Sequence, residues 1–295
     1  MPKTRAGEPW MPTIAEKLKS RESDLTRAER QLSAAILDNY PIPGLGSITE
    51  LAELAEVSTP TVARMVQKLG FSGYPEFQHA LREELREIIS NPVEKRAEQA
   101  PELPEGHMLN RYAVAVYDNI RATLENVNLE EFDTLCALLA DTNSRVHIAG
   151  GRLSGTLAQN FYLHLQMIRR DVFMIPPRAS WTHSVLDLLP GDTLILFDIR
   201  RYENATLLLA EMAHERGVKV VLFTDQWRSP IQKEATFTFA ARIAVPSAWD
   251  SGVALLLLIE SMIAKIQEDH WDTVKARNDE LEAAFDRTRL FRKFT

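Results

Sequence analysis

One short segment carries hydroxyl groups, an amide and two basic side chains at helical spacing. Apolar residues of Ile48–Leu69 recur three and four positions apart, which predicts two short helices joined at Val57 and Ser58. Pro60 lies in the first turn of the second helix, where its missing N–H costs nothing. The polar residues predicted on the exposed face of that helix and at its N-cap are Ser58, Thr59, Thr61, Arg64, Gln67 and Lys68.

These side-chain types suit contact with nucleic acid. Short hydroxyls at the start of a helix can bind phosphates, while Arg and Gln can form bidentate hydrogen bonds to base edges in the major groove. The pattern therefore favours a DNA-recognition helix. The alternative is a small helical bundle with a polar, solvated face. Glu56 stands in the turn where helix-turn-helix motifs usually have Gly, because a positive φ is easiest there. Its carboxylate is expected to weaken DNA affinity.

A second candidate is the glycine-rich loop between a predicted strand and a predicted helix. Gly150 and Gly151 let backbone N–H groups approach an anion, and the helix that starts near Ser154 adds partial positive charge. Arg152 lies between Gly151 and Ser154. A tight structural turn explains the same residues equally well.

The hydrophobic pattern predicts two kinds of element to position these residues. Residues 13–90 are predicted to form short helices separated by Pro and Gly. From Leu109 onward, short apolar runs alternate with helix-length segments, which predicts a doubly wound parallel α/β sheet. The predicted strands are Val146–Ala149, Val172–Ile175, Thr193–Ile199, Val218–Thr224 and Phe237–Val245.

The predicted fold class is therefore α plus α/β, in two domains. An all-α domain covers residues 1–90, and a doubly wound domain covers residues 108–280. Residues 91–107 contain three prolines and no sustained apolar face, so they are predicted to be a linker. Residues 281–295 are assigned to a C-terminal tail.

Composition excludes several classes of function. The 295 residues carry a net charge of −7, which argues against non-specific attraction to phosphate, but residues 57–82 hold three basic side chains against one acidic. Cys136 is the single cysteine, so an internal disulfide is excluded and a buried thiol is expected. The longest apolar run, Val253–Ile259, is far below the roughly 20 residues that span a bilayer. No apolar stretch marks a secretory signal, and the seven histidines lack metal-site spacing. We expect a cytoplasmic protein with no membrane contact, metal or cofactor.

The segments LTRAERQLSAAIL and ELAELAEVSTPTVARMVQKLGFSGYPEF, followed by the α/β part, resemble the RpiR/MurR family of bacterial transcription regulators. The resemblance covers roughly residues 13–270. It implies an N-terminal helix-turn-helix domain and a C-terminal sugar isomerase (SIS) domain that binds a phosphosugar effector. It also implies a double-stranded DNA operator as partner and a homo-oligomer, a dimer or tetramer, that docks two half-sites.

The resemblance assigns the effector-binding residues to three loops. SIS domains carry a GxGxS loop, in which Gly150 and Ser154 match the first Gly and the Ser, Gly151 falls between the two Gly positions, and Arg152 replaces the second Gly. A second loop usually reads SxSGxT, and here Asp198 and Arg200 replace its serines and Arg201 its Gly. Thr224 and Ser229 match a TxxxxS segment at the rim of the family's pocket.

The exchanged residues leave several interpretations open. Arginines can bind an anionic effector such as a phosphosugar or sugar acid, because a guanidinium binds phosphate or carboxylate bidentately. A neutral ligand is another possibility. Alternatively, Asp198 pairs with Arg152 or Arg200 and fills the pocket, which leaves a regulator without an effector. SIS folds also occur in phosphosugar isomerases, but neither Glu203 nor Glu260 has an identifiable catalytic partner. The sequence therefore predicts a non-catalytic regulator of sugar or carbohydrate-derivative metabolism, with Val253–Ile266 and the helices of 109–140 packing domains or subunits.

Overall fold

The computed structural model describes residues 12–99, 106–176 and 181–292. Parts of the predicted linker (100–105) and of the predicted tail (293–295), and the N-terminal residues 1–11, lie outside the described residues.

The described N-terminal part is a helical domain of five α-helices. They are α1 (Ile14–Ser20), α2 (Arg27–Asp38), α3 (Ile48–Leu54), α4 (Thr59–Lys68) and α5 (Tyr74–Ile89). The first three begin with a capping box, in which an N-cap hydroxyl and a Glu three residues later satisfy each other's backbone N–H groups. α4 and α5 have a proline in their first turn instead. Local sequence signals therefore fix where each helix begins.

One apolar cluster forms the core of the helical domain. Each helix contributes a side chain with no more than 1% exposure; examples are Ile14, Leu32, Leu51, Met65 and Phe77. Burying a side chain of this size contributes about 1.5–3 kcal/mol. Packing of all five helices around one core holds α3 and α4 at a fixed angle.

The α/β domain is built on a five-stranded sheet. Its strands are β1 (Val146–Gly150), β2 (Val172–Met174), β3 (Thr193–Asp198), β4 (Lys219–Asp225) and β5 (Ala235–Ala241). The strand order is β2-β1-β3-β4-β5, and every neighbouring pair is parallel. All strands therefore end at the same edge of the sheet, which we call the carboxyl edge.

Helices cover both faces of this sheet. The described helices of this region are α7 (Met108–Leu124), α8 (Leu129–Ala140), α9 (Gly155–Ile168), α10 (Trp181–Leu186), α11 (Asn204–Glu215), α12 (Val253–Asp269) and α13 (Trp271–Thr288). α8, α9 and α12 pack on one face, and α10 and α11 on the other. This doubly wound arrangement confirms the predicted fold class.

Three segments add detail to the sequence-based expectations. A helix, α6 (Pro92–Gln99), lies inside the predicted linker, and α13 continues past residue 280 into the predicted tail. The domain boundaries themselves stay predictions. The apolar residues of α12 are buried in the sheet's core cluster, so this helix packs within its own domain. In the described part of the chain, every helix is too short or too polar to span a bilayer.

Candidate functional site

The turn between α3 and α4 adopts the backbone that the sequence suggested. Glu56 has a φ of 51°, in the left-handed region where Gly is usual. The following N–H, of Val57, donates to the carbonyl of Ala52 at 2.9 Å and closes the end of α3. The strained backbone at Glu56 is therefore part of what sets the angle between the two helices.

The exposed face of α4 is narrower than the sequence predicted. Arg64 and Gln67 are exposed, but Thr61 is buried, with 9% exposure. Thr61 lies one turn before the buried Met65, and a residue four positions away shares the same helix face. Its hydroxyl is 2.9 Å from that of Ser58. The expectation that Thr61 is exposed on α4 was therefore wrong, because threonine fits a core position when a neighbour satisfies its hydroxyl.

Lys68, the last residue of α4, has a partner inside its own domain. Its ammonium lies 2.6 Å from the carboxylate of Glu29, which is 6% exposed, and donates to the carbonyl of Asp24 at 3.2 Å. Burial raises the pKa of Glu29, but the hydrogen bonds from Lys68 and Thr26 outweigh it and leave that pKa below its ordinary value. Lys68 therefore braces α4 against α2, a role that its spacing did not reveal.

The polar groups of the glycine-rich loop form hydrogen bonds within the loop and to neighbouring residues of the protein. The hydroxyl of Ser154 donates to the carbonyl of Phe197 at 2.7 Å and accepts from the N–H of Gly151 at 2.9 Å. The N–H of Arg152 donates to a carboxylate oxygen of Glu203 at 2.6 Å. A Cβ on Gly151 would lie 2.8 Å from that same oxygen, so a larger residue here would require the Glu203 side chain to move. The Glu203 carboxylate thus stands where the loop could hold an anion.

Glycine is required at Gly150, at the end of β1. A Cβ there would meet the backbone of Gly155 at 2.9 Å. The close approach lets α9 start directly beside the strand.

Asp198 and Ser229 meet at the carboxyl edge, as the assignment of both residues to one site required. Asp198 lies opposite Thr224 in the sheet register. Its carboxylate is 2.5 Å from the hydroxyl of Ser229, and Thr224 accepts the backbone N–H of Ser229 at 3.1 Å. All three residues are buried. Burial raises the pKa of Asp198 to about 6, even though the hydrogen bond from Ser229 lowers it.

A second buried carboxylate at this edge is Asp225, which was not among the predicted site residues. It accepts hydrogen bonds from the N–H of Arg200 at 2.6 Å, the hydroxyl of Tyr202 at 2.9 Å and the N–H of Trp227 at 2.9 Å. Burial raises its pKa to about 6. Its position after β4, at the same edge as Asp198, was the signal that could have revealed it.

The two arginines of the second loop lie in different surroundings. The guanidinium of Arg200 lies 3.0 Å from the carboxylate of Asp250 and donates to the carbonyl of Glu87, in α5, at 3.0 Å. Arg201 is exposed and has a φ of 61°. The alternative in which Asp198 pairs with Arg152 or Arg200 is not observed, because Ser229 and a backbone N–H bind that carboxylate.

The helical domain docks on the carboxyl edge of the sheet. Ile88 of α5 packs with Trp227 and Ile243, which follow β4 and β5. Ion pairs surround this apolar contact; they are Lys233 with Asp38 at 2.9 Å, Lys95 with Asp250 at 2.6 Å, and Arg242 with Glu16. Arg200 and Ser229, two of the residues predicted to bind the effector, therefore lie next to the helical domain.

Two clefts border this interface. One, of about 490 Å³, lies between α1, the α7–α8 turn and the ends of β4 and β5. The other, of about 350 Å³, lies between the end of α2 and the segment after β4, and Ser229 lines it. Among the described residues, no three His, Cys, Asp or Glu side chains are grouped as a metal site requires. Cys136 is buried, and burial raises the pKa of its thiol to about 12.

The helix-turn-helix followed by a doubly wound α/β domain defines a class of two-domain DNA-binding regulators. Two family models match the chain: a helix-turn-helix domain of the rpiR family over residues 13–87 and a SIS domain over residues 138–265. The chain therefore belongs to the RpiR family of helix-turn-helix transcriptional regulators with a SIS domain. This result confirms the resemblance found in the sequence.

Several known proteins are similar to this chain. The HTH-type transcriptional regulator HexR of Pseudomonas aeruginosa is 29% identical over 239 residues, which cover 77% of this chain and 78% of HexR. The uncharacterised HTH-type regulator YfhH of Escherichia coli K12 is 27% identical over 263 residues, 86% of this chain and 92% of YfhH.

Solved structures share the fold. The Vibrio vulnificus NanR protein complexed with ManNAc-6P superimposes with a TM-score of 0.56 at 18% identity, covering 95% of this chain and 100% of NanR. The sugar isomerase domain of an RpiR transcription factor from Sphaerobacter thermophilus superimposes with a TM-score of 0.54 at 20% identity, covering 59% of this chain and 97% of that one.

Proposed function

We propose that this regulator controls genes of sugar or carbohydrate-derivative metabolism and that its SIS domain senses a small anionic effector, a sugar phosphate or a sugar acid. Arg64 and Gln67 read base edges in the major groove, and Ser58 and Thr59 bind phosphates at the start of α4. Thr61 and Lys68 support α4 from inside the domain.

The observation that carries this proposal is the bond from Arg200 to the carbonyl of Glu87. It joins a loop at the carboxyl edge, where open α/β sheets bind ligands, directly to the last turn of the helical domain. An effector bound at this loop competes for the groups that hold the helical domain in place. Its effect on DNA affinity cannot exceed its difference in affinity for the two domain arrangements.

The carboxylate of Glu203 occupies the position at which the effector's anionic group would bind. The Glu203 carboxylate caps the N–H of Arg152 at the start of α9, where a phosphate or carboxylate is also stabilised by the helix. We infer that the effector's anion replaces Glu203 at this loop and that the exposed Arg201 turns toward it.

A role without an effector is the second candidate. The observation that favours it is that Ser154, Asp198 and Ser229 already have partners inside the protein. A ligand then has to displace internal hydrogen bonds and gain more than it breaks. The experiment below separates the two candidates.

Catalysis is not part of the proposal. Isomerisation of an aldose requires a base beside the substrate carbon. Glu260 is exposed on α12, and Glu203 is bound to the loop N–H. The functional assembly is proposed to be a cytoplasmic homo-oligomer without a cofactor. α7 leaves Leu109, Val114 and Tyr117 exposed, and such apolar side chains suit contact between subunits.

The test is operator binding in the presence and absence of candidate effectors. A DNA fragment is first selected by the full-length protein from a random-sequence pool. Its affinity is then measured with glucose 6-phosphate, gluconate or glucose present. We expect an anionic ligand to change the affinity at least fivefold, a typical size for coupling between two sites. The Arg201→Ala variant should bind the operator but lose that response. If no ligand changes the affinity, the regulator acts without an effector of this class.

A further inference from the structure

A polar cleft is lined by the middle of the third loop together with α1 and the α7–α8 turn, away from the loops after β1 and β3. It is the cleft of about 490 Å³ between α1, the α7–α8 turn and the ends of β4 and β5, and we call it the interdomain cleft. The side chains on which the argument depends are Glu16, Lys19, Glu131, Gln226, Arg228 and Arg242.

Two cations line this cleft without a carboxylate in direct contact. Among the described residues, neither Lys19 nor Arg228 forms an ion pair within 4 Å. The guanidinium of Arg228 donates instead to the neutral amide of Gln232 at 2.9 Å. Burial, followed by the charge of Arg228, lowers the pKa of Lys19, so the two cations are close enough to repel each other. A bound anion would relieve this repulsion.

The nearby carboxylates do not neutralise both cations. Glu16 is already used, because it accepts the N–H of Thr13 at 2.7 Å and pairs with Arg242. Glu131 accepts from the amide of Asn128 at 3.1 Å and is the remaining carboxylate lining the cleft. With Glu16 and Arg242 paired, the side chains that line the cleft leave two cations facing one carboxylate, while Glu22 acts on Lys19 from outside the cleft.

Gln226 supplies an independent sign of a ligand. Its side chain lines the cleft and is 3% exposed, and its carboxamide oxygen has no hydrogen-bond partner among the described residues. A buried carbonyl oxygen without a donor is costly, and such groups in native proteins require an explanation. A hydroxyl group of a ligand is a suitable donor.

The backbone of this segment is also strained. Arg228 has a φ of 62°, a left-handed conformation that a residue with a side chain rarely adopts. Strain of this kind persists where the surroundings hold a residue in place, often at binding sites.

We propose that the interdomain cleft is a second ligand site, which binds a small anion bearing hydroxyl groups, such as a sugar phosphate or a sugar acid. Lys19 and Arg228 bind the anionic group, and Gln226 accepts a hydrogen bond from a hydroxyl. Lys19 belongs to α1 of the helical domain, whereas Gln226 and Arg228 follow β4. The ligand therefore bridges the two domains and stabilises the docked arrangement. This goes beyond the proposed function, which concerns the loops after β1 and β3.

Isothermal titration calorimetry on the full-length protein tests this site. Glucose 6-phosphate and gluconate are the hydroxylated anions, inorganic phosphate tests the charge alone, and glucose tests the hydroxyls alone. We expect one of the two hydroxylated anions to bind more tightly than phosphate or glucose. Lys19→Gln should raise its dissociation constant at least tenfold. Lys19 is exposed, so this variant should fold. Lys219→Gln removes the same charge at the start of β4 and should bind like the wild type.

Further variants assign the ligand to one of the two sites. Arg228→Gln and Gln226→Leu should weaken binding to the interdomain cleft in the same way as Lys19→Gln. Unchanged affinity in Lys19→Gln, or no binding of any probe by the wild type at millimolar concentration, overturns the inference. If Arg201→Gln abolishes binding while Lys19→Gln does not, the ligand occupies the loops; the proposed function then stands and the interdomain site does not.

Discussion

Arg200 donates a hydrogen bond to the carbonyl oxygen of Glu87 across 3.0 Å, and the two residues lie 113 positions apart in the chain. The same guanidinium forms an ion pair with Asp250, which also pairs with Lys95 of α6. One side chain at the carboxyl edge thus connects the α/β domain to the end of α5. Loss of this side chain should loosen the docking of the helical domain.

We expect Arg200→Ala to lower the free energy of unfolding by about 1–3 kcal/mol, because hydrogen bonds to charged groups are worth about that much. Urea unfolding measures the change, and hydrogen exchange at the C-terminal turn of α5 should become faster. Arg201→Ala is the matched control, because Arg201 is exposed, and should change stability by no more than about 0.5 kcal/mol. Equal stability of the two variants would show that the Arg200 contact contributes nothing to docking.

Arg64→Ala should weaken operator binding by about 1–3 kcal/mol, the worth of a bidentate contact to a base. Arg64 is exposed on α4, so its thermal stability should stay the same. Arg82→Ala removes the same charge from α5, where Arg82 is bonded to Gln78, and serves as control in the binding titration. If both variants lose the same affinity, Arg64 acts only through its charge and does not read a base.

Lys68→Ala should destabilise the helical domain, since it leaves the carboxylate of Glu29 buried without its cation. The expected loss is about 1–3 kcal/mol, the cost of an unsatisfied buried group. A double-mutant cycle with Glu29→Gln measures the coupling by urea unfolding. The double variant should lose less stability than the sum of the single variants. Additive losses would contradict a bracing role for Lys68.

Glu203→Gln should increase the affinity for an anionic effector. The amide oxygen of Gln can still accept the N–H of Arg152, but the negative charge that competes with the effector is gone. Calorimetric titration with glucose 6-phosphate measures the change, and titration with glucose is the control. A lower affinity for the phosphate would mean that Glu203 itself contacts the ligand.

The pH dependence of stability should reveal the buried Asp198. Its pKa in the folded protein is about 6, above the ordinary value of 3.8, so the folded state binds more protons than the unfolded state between these values. The free energy of unfolding from this group therefore rises as the pH falls through 6 and stops rising below about 4.

Urea midpoints of the wild type and Asp198→Asn, compared from pH 8 to pH 4, measure this contribution. The wild type should gain stability relative to the variant as the pH falls. Asp272→Asn, which changes an exposed carboxylate of α13, is the control. A constant difference between the wild type and Asp198→Asn would show that Asp198 is not protonated in this range.

The sequence predicted the sheet well for a physical reason. Parallel strands covered on both faces are short, continuous apolar runs, and Thr193–Ile199 and Val218–Thr224 match β3 and β4 to within one residue. The first residues of α1 to α3 can also be predicted from the sequence, because a capping box depends only on residues that are close in the chain.

The errors and omissions concern groups whose role depends on tertiary neighbours. The side chain of Thr61 fits a surface or a core position. Its position one turn before the buried Met65 places it in the core, although its hydroxyl is polar. The partners of Lys68 and Arg200 are distant in the chain, so no spacing rule could name them. Glu56 shows the opposite case, since its place in the turn required a left-handed backbone whatever residue occupied it.

Asp198 and Thr224 are buried, and Ser229 lines a cleft between the two domains. We expect a ligand that requires these groups to enter while the two domains are apart. At high concentration its association should therefore approach the rate at which the domains open, and adding more ligand should not make the response faster. The protein would then respond on the timescale of its own domain motion, whatever the abundance of the metabolite.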